Sequence, residues 1–218
     1  MVIFDCESDC GFSSVPGYTR DEKISSYMQF TCICATVIAS KLVVRGASPD
    51  DIISQATKMV WWRDVAEKGC TPVDSLLELF DSADVIVGYN CLAFDFPLIR
   101  RFYKSRKDTN YIQRYMDHRC KTLDVMARVR DISGVYYKLD NLLLENGMPT
   151  KISDGSNAVR MWDEGRRCEL EEYCASDVEL TARLALMETI NFSVSHQKLS
   201  MQQHAHCIRG AINAKLHP

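Results

Sequence analysis

The order of apolar and polar positions along the chain predicts an α/β protein. Apolar or β-branched runs predict strands at residues 2–7, 29–39, 41–45 and 84–90. Apolar residues at helical spacing predict helices at 50–64, from Thr71 onward, at 94–105, at the end of 120–130, at 139–146 and at 169–190. Because strands come first and then alternate with helices, we expect one α/β domain with a mixed β-sheet flanked by helices.

Composition narrows the class of protein. The 218 residues suffice for one sizeable domain, and the 46% hydrophobic and 25% charged content is ordinary for a globular protein in water. No apolar run approaches the length of a membrane span, and the first residues enter a strand directly, so we expect neither membrane association nor a signal peptide. The ten cysteines include no Cys-x-x-Cys pair and mostly lie in apolar stretches. We therefore expect reduced thiols and an intracellular protein, in the cytoplasm or nucleus.

The opening strand carries the first candidate site. Asp5 and Glu7 are separated by one residue, so in a strand both carboxylates project from the same face. The three apolar residues before them indicate that the strand is buried. Two acids that point the same way repel each other unless a cation lies between them, which indicates a divalent metal site. A strand end with two solvated acids explains the same residues.

Positive charge is concentrated in one later segment. Residues 100–121 contain eight lysines and arginines and two aspartates, although the whole chain has a net charge of −3. The basic residues are Arg100, Arg101, Lys104, Arg106, Lys107, Arg114, Arg119 and Lys121. Such a patch is typical of a protein that binds a polyanion, and equally of a solvated helix face.

Two more acids lie in predicted buried positions. Asp95 follows the strand predicted at 84–90 and stands between two phenylalanines, which places a charged group in apolar surroundings. Asp177 lies in the last predicted helix, four residues after Tyr173, so the phenol and the carboxylate share one helical face. Leucines on that face indicate that it is buried, and a buried carboxylate needs a cation. A helix N-cap for Asp95 and a surface position for Asp177 explain each acid singly, but not both together.

These residues together resemble the three ordered motifs of the DEDD 3′–5′ exonucleases, the proofreading-type enzymes with a ribonuclease H-like fold. The motifs are similar to Asp5-x-Glu7, Asn90-x-x-x-Phe94-Asp95 and Tyr173-x-x-x-Asp177, in that order. A tyrosine four residues before the last acid resembles the DEDDy branch, because the other branch has a histidine five residues before it, where this chain has Glu172. The resemblance covers residues 1–190, which we predict to be the exonuclease domain. Residues 191–218 would be a C-terminal extension, helical or poorly ordered.

The resemblance implies hydrolysis of nucleic acid to nucleoside 5′-monophosphates by a two-metal-ion mechanism. Asp5, Glu7, Asp95 and Asp177 would hold two Mg²⁺ or Mn²⁺ ions, with Asp5 as the best candidate for bridging both. Tyr173 would orient the attacking water. Asn90 and Phe94 would shape and brace the site, and we place Arg100, Arg101 and Lys138 beside the nucleic acid.

The resemblance also implies the partners. The substrate would be a DNA or RNA 3′ end, with single-stranded DNA as the first choice. Any polymerase or helicase activity would come from a partner, because the chain contains no motif for either.

Two other interpretations fit the same residues. One is a catalytically silent ribonuclease H-like module that binds nucleic acid or a protein partner. The other is a different two-metal nuclease or transposase of similar fold, which would need a different final acid and would give Tyr173 no role. Cleavage of an internal bond rather than a free 3′ end would distinguish this last class.

Overall fold

A computed structural model of the chain describes residues 1–15, 24, 26–44, 47–65, 71–104, 110–150, 156–192 and 198–200. Its central sheet has the strands β1 Val2–Ser8, β2 Phe30–Val37, β3 Thr57–Trp62, β4 Ile86–Gly88 and β5 Thr122–Asp124. They lie in the order β3-β2-β1-β4-β5. β2 runs antiparallel to β1 and β3, whereas β4 runs parallel to β1 and β5. The expected α/β class with a mixed sheet is therefore confirmed.

Helices flank the sheet. They are α1 Ser40–Val44, α2 Pro49–Ser54, α3 Pro72–Ser82, α4 Asp95–Tyr103, α5 Tyr111–Cys120, α6 Val125–Ser133, α7 Leu139–Glu145, α8 Ser156–Asp163 and α9 Arg167–Leu186. After α9, an antiparallel pair of short strands, β6 Thr189–Asn191 and β7 Lys198–Ser200, crosses the boundary predicted at residue 190. Within the described part of the chain, no helix combines the length and the apolar content of a membrane span.

The two faces of the sheet pack into different hydrophobic clusters. On one face, Ile3 of β1 packs in a cluster that includes the buried residues of α9. On the other face, the Phe4 ring contacts Phe80 of α3 and Phe96 of α4, with ring centroids 4.8 and 5.7 Å apart. Because side chains alternate along a strand, Asp5 and Glu7 lie on the same face of β1 as Ile3, the face against which α9 packs.

The strand predicted at 41–45 is wrong, because residues 41–44 belong to α1, while Arg45 lies outside the described residues. Leu42 and Val43 are both buried, and both pack into the same cluster. Consecutive residues of a strand point to opposite faces, so only a helical turn lets this pair enter one cluster. Tertiary packing here outweighs the β-propensity of the valines.

The helix predicted at 50–64 is wrong beyond its first turns. α2 ends at Ser54, and the following residues form the edge strand β3, paired with β2 from Thr57 opposite Val37 to Trp62 opposite Cys32. Trp61 and Trp62 pack against opposite clusters. β3 has large apolar side chains on both faces, so its sequence lacks the alternation of apolar and polar residues that identifies a strand. Its apolar residues therefore continue the helical spacing of α2.

The helix predicted from Thr71 onward is confirmed as α3. Thr71 and Asp74 form a capping box, in which the Asp74 N–H donates to the Thr71 hydroxyl at 3.2 Å and the Thr71 N–H donates to the Asp74 carboxylate at 2.7 Å. Besides α1, two helices form where the sequence pattern predicts none, α5 and α8. α5 has only two buried residues, too few to give a helical pattern. Arg106, Lys107 and most of the extension predicted at 191–218 lie outside the described residues, and the domain division stays a prediction.

Candidate active site

A cleft of about 700 Å³ opens beside the C-terminal half of β1. Most of the residues predicted for the site line it: Asp5, Glu7, Asn90, Phe94, Lys138, Tyr173 and Asp177. The cleft falls within the range of about 300–1,000 Å³ that is typical of small-molecule sites. Segments that are far apart in the sequence therefore meet at one cleft of ligand size.

Asp5 and Glu7 are half-buried on the face of β1 that looks toward α9. One carboxylate oxygen of each lies within 4.8 Å of the other and of the Cys174 sulfur. The pairing of β1 with β2 shifts between Cys6 and Ser8, so that two residues of β2 stand opposite Glu7. Such bulges are frequent beside active sites because they change the direction of nearby side chains.

Asp95 is not among the described residues that line the cleft, but it is hydrogen-bonded to Cys6, which is one of them. Asp95 is the first residue of α4 and only 1% exposed, and its Oδ1 accepts a hydrogen bond from the Cys6 N–H at 2.7 Å. Burial, together with the negative charge of Asp5, raises the pKa of the Asp95 carboxyl well above its ordinary value. The charge of Asp5 therefore acts directly on Asp95, the third acid of the predicted set.

Tyr173 and Asp177 are buried one turn apart on α9, which packs across β1 and β2. Burial raises the pKa of the Tyr173 phenol, and the charges of Asp177, Glu7 and Asp5 raise it further, in that order. The phenol therefore keeps its proton at neutral pH and lies within the electric field of three carboxylates.

The donor set fits divalent cations such as Mg²⁺ or Mn²⁺. Carboxylate oxygens are hard anionic ligands of the kind that these ions prefer. Asp5 and Asp95 lie close enough that the charge of one disfavours ionisation of the other. A cation bound beside Asp5 would offset that repulsion. Of the four predicted ligands, Asp5 and Glu7 have carboxylate oxygens within 4.8 Å of each other. Asp177 lines the same cleft, and Asp95 adjoins β1 through the Cys6 N–H.

The basic residues of the predicted set separate into two groups. Lys138 is exposed at the start of α7 and lines the cleft. Arg100 lies over the Tyr115 ring at 5.6 Å, and Arg101 donates to the Gln29 side chain at 3.4 Å. Neither arginine is among the described residues that line the cleft, and their contact with substrate stays a prediction.

Asp124 is a buried residue that supports this site and that no sequence motif indicates. It ends β5 and caps α6, where its Oδ1 accepts the N–H groups of Asn90 at 2.9 Å and Ala127 at 3.0 Å. Its Oδ2 accepts the Leu92 N–H at 2.9 Å. The carboxylate thereby holds the turn that leads into Asp95, in which Asn90 has a φ of 60°. An acid directly before a helix signals only an N-cap, so the link to the turn could not be predicted.

The comparisons with known proteins identify the family and the fold. A family model described as "Predicted 3'-5' exonuclease related to the exonuclease domain of PolB" matches residues 73–217. Because this match spans more than half of the chain, the chain belongs to that family of exonuclease-related domains. The matched region contains Asp95, Tyr173 and Asp177, whereas Asp5 and Glu7 precede it.

A solved structure supports the fold. The chain is similar to the family B DNA polymerase from the hyperthermophilic archaeon Pyrobaculum calidifontis, with a TM-score of 0.55 and 16% sequence identity. The similarity covers 84% of this chain but only 24% of the polymerase. Together with the strand order, it confirms the predicted ribonuclease H-like fold. No curated protein matches the sequence.

Replacement of Asp124 by asparagine should destabilise the turn before Asp95. Asparagine keeps one acceptor oxygen and turns an amide donor toward an N–H group, so at least one buried hydrogen bond is lost. We expect the free energy of unfolding to fall by about 1–3 kcal/mol. Chemical denaturation of Asp124→Asn, compared with the exposed Asp131→Asn as the control, measures this loss. Equal stability of the two variants would contradict the role assigned to Asp124.

The raised pKa of Asp95 predicts how stability changes with pH in the metal-free protein. The native state holds this proton more tightly than the unfolded chain, so the contribution to stability is complete below the ordinary carboxyl pKa of 3.8. It is lost as the pH rises through the raised native pKa. Asp95→Asn keeps an oxygen that can accept the Cys6 N–H. Because asparagine does not titrate, the variant should not lose this part of its stability as the pH rises. Denaturation in EDTA from mildly acidic to neutral pH should therefore give a flatter profile for the variant, and parallel profiles would refute the coupling.

Proposed function

We propose that this chain is a metal-dependent 3′–5′ exonuclease of the DEDDy branch, which hydrolyses nucleic acid to nucleoside 5′-monophosphates. Single-stranded DNA is the first substrate, and RNA the second. The observation that carries the proposal is that Asp5, Glu7, Asp177 and Tyr173, from two distant segments, line a single cleft, while Asp95 from a third segment is hydrogen-bonded to the backbone of Cys6, another lining residue. The family to which the chain belongs, described as predicted 3′–5′ exonucleases, supports the choice of this reaction.

Asp5, Glu7, Asp95 and Asp177 would hold two Mg²⁺ or Mn²⁺ ions. When bound, the two ions would supply Lewis-acid activation of the attacking water and stabilisation of the departing 3′ oxygen. The bridging role proposed for Asp5 is supported by its position, since it lies near Glu7 on its own strand and its charge acts on both Asp95 and Tyr173.

Tyr173 would orient the attacking water. Its phenol keeps its proton, so the hydroxyl can donate one hydrogen bond and accept others. A neutral hydroxyl is a poor ligand for Mg²⁺ beside carboxylates, which separates its role from that of the four acids. The ring itself is buried and held in place by packing on α9.

The walls of the cleft support a single-stranded substrate. Phe12 and Phe94 pack edge to face with centroids 5.3 Å apart, and the exposed Tyr136 lines the same cleft. Aromatic faces accept unpaired bases without sequence preference, and Lys138 would contact a phosphate. In this proposal, a polymerase or helicase partner would supply the 3′ end.

The assay is a time course on end-labelled single-stranded DNA and RNA, with Mn²⁺, with Mg²⁺ and with EDTA. We expect shortening from the 3′ end and release of nucleoside 5′-monophosphates only when a divalent ion is present. Asp5→Ala and Asp177→Ala should each lower the rate by several orders of magnitude, because a lost ligand disorders an ion. The exposed Asp117→Ala is the control and should stay active.

Three results would contradict the proposal. Cleavage that persists in excess EDTA would exclude the metal mechanism, and degradation from the 5′ end would exclude the assigned polarity. A folded protein that binds DNA but cleaves nothing with either ion would favour the catalytically silent module.

Tyr173→Phe separates water orientation from metal binding, because it keeps the ring and removes one hydroxyl. We expect Mn²⁺ affinity to change little while the single-turnover rate falls by about 10²-fold, the lower end of the about 10²–10⁴-fold range for such groups. Glu172→Ala is the matched control, since Glu172 is exposed and points about 100° away on the helix. A fully active Tyr173→Phe with an inactive Glu172→Ala would overturn the DEDDy assignment.

A further inference from the structure

A thiol faces the same carboxylates. Cys174 is completely buried on α9, and its Sγ lies 3.6 Å from the Asp5 carbonyl oxygen and 3.9 Å from Asp5 Oδ2. The donor atoms of Asp5, Glu7 and Cys174 all lie within 4.8 Å of one another. Within the described residues, this is the single group of three His, Cys, Asp or Glu side chains that meets this distance.

The spacing suits one tetrahedral ion. Zinc binds sulfur at about 2.3 Å and carboxylate oxygen at about 2.0–2.2 Å, so two of its ligands stand about 3.6 Å apart. The distance between Cys174 Sγ and Asp5 Oδ2 exceeds this by a few tenths of an ångström. Small side-chain rotations would bring the three donors onto one cation.

The Cys174 thiol has polar neighbours as well as apolar ones. Cys174 packs as a small buried residue in the hydrophobic cluster under α9, as Cys91 does in the cluster on the opposite face of the sheet. Its sulfur in addition lies beside a carboxylate on one side. On another side it lies within hydrogen-bonding reach of the Cys32 and Cys34 thiols of β2. Soft and hard donors therefore meet at Cys174.

We infer that Asp5, Glu7 and Cys174 bind one thiophilic divalent cation, such as Zn²⁺ or Cd²⁺. Binding replaces the S–H bond of Cys174 by a sulfur–metal bond, and the proton leaves to solvent. A sulfur ligand favours softer cations over Mg²⁺, so this cation competes with Mg²⁺ for the carboxylates of Asp5 and Glu7. The binding does not depend on the proposed nuclease activity, but it would inhibit that activity.

The test is a Cd²⁺ titration of the metal-free protein, followed by the ultraviolet absorption of sulfur-to-cadmium charge transfer. Wild type is compared with Cys174→Ser, Asp5→Asn and Cys168→Ser, the last being the control because Cys168 is an exposed thiol on the same helix. Cys174→Ser and Asp5→Asn should each weaken the tight Cd²⁺ binding by more than the about 10–100-fold that loss of an outer-sphere partner costs. Cys168→Ser should keep it, and Mn²⁺ affinity should survive in Cys174→Ser.

Unchanged Cd²⁺ affinity in Cys174→Ser overturns the inference. An unchanged affinity in Asp5→Asn also overturns it, because the cation would then lie among the three thiols away from the carboxylates. Asp5→Asn retains every cysteine and so decides the question even where Cys174→Ser fails to fold, which melting in EDTA reveals. The expected Cd²⁺ pattern without nuclease activity would refute the proposed function alone, and activity without that pattern would refute this inference alone.

Discussion

A carboxylate oxygen takes the place of a strand neighbour at the centre of the sheet. Val2 donates its N–H to the carbonyl of Val85, whereas Cys6, farther along the same edge of β1, donates to Asp95. β4 ends at Gly88, so the edge of β1 beyond it is closed by the first residue of α4. This one hydrogen bond both satisfies a buried N–H and holds Asp95, the third acid, against the strand that bears the first two, so the position of Asp95 depends on it.

The rest of the fold holds α4 in the position that this contact requires. Asp95 is its first residue, and Tyr103, its last, is bonded to His118 of α5 at 2.9 Å. The other nitrogen of His118 contacts Asp81 of α3 at 2.8 Å, so three helices are joined in one network. Packing and hydrogen bonds at the C-terminal end of α4 thus offset the repulsion between carboxylates at its N-terminal end.

The sequence predicts those features of the site that follow from the regular repeat of side-chain directions along a strand or a helix. Alternation in a strand places Asp5 and Glu7 on one face, and helical spacing places Tyr173 beside Asp177. The contribution of Asp124 could not be predicted, because its partners are backbone N–H groups of a distant turn, which every residue type shares. The apolar spacing does not distinguish the edge strand β3 from a continued helix, because Trp61 and Trp62 face different cores, a property set by tertiary packing.

The alternation along β1 also limits how this protein can change in length. Odd-numbered positions bear the acids, and even-numbered positions such as Phe4 and Cys6 fill the opposite core. An insertion or deletion of a single residue within β1 would exchange the two sets, placing charges in an apolar core and an aromatic ring in the cleft. Surface loops can vary in length during evolution at little cost, whereas this strand cannot gain or lose one residue without exchanging the two sets. Its length is therefore as much a part of the site as the carboxylates are.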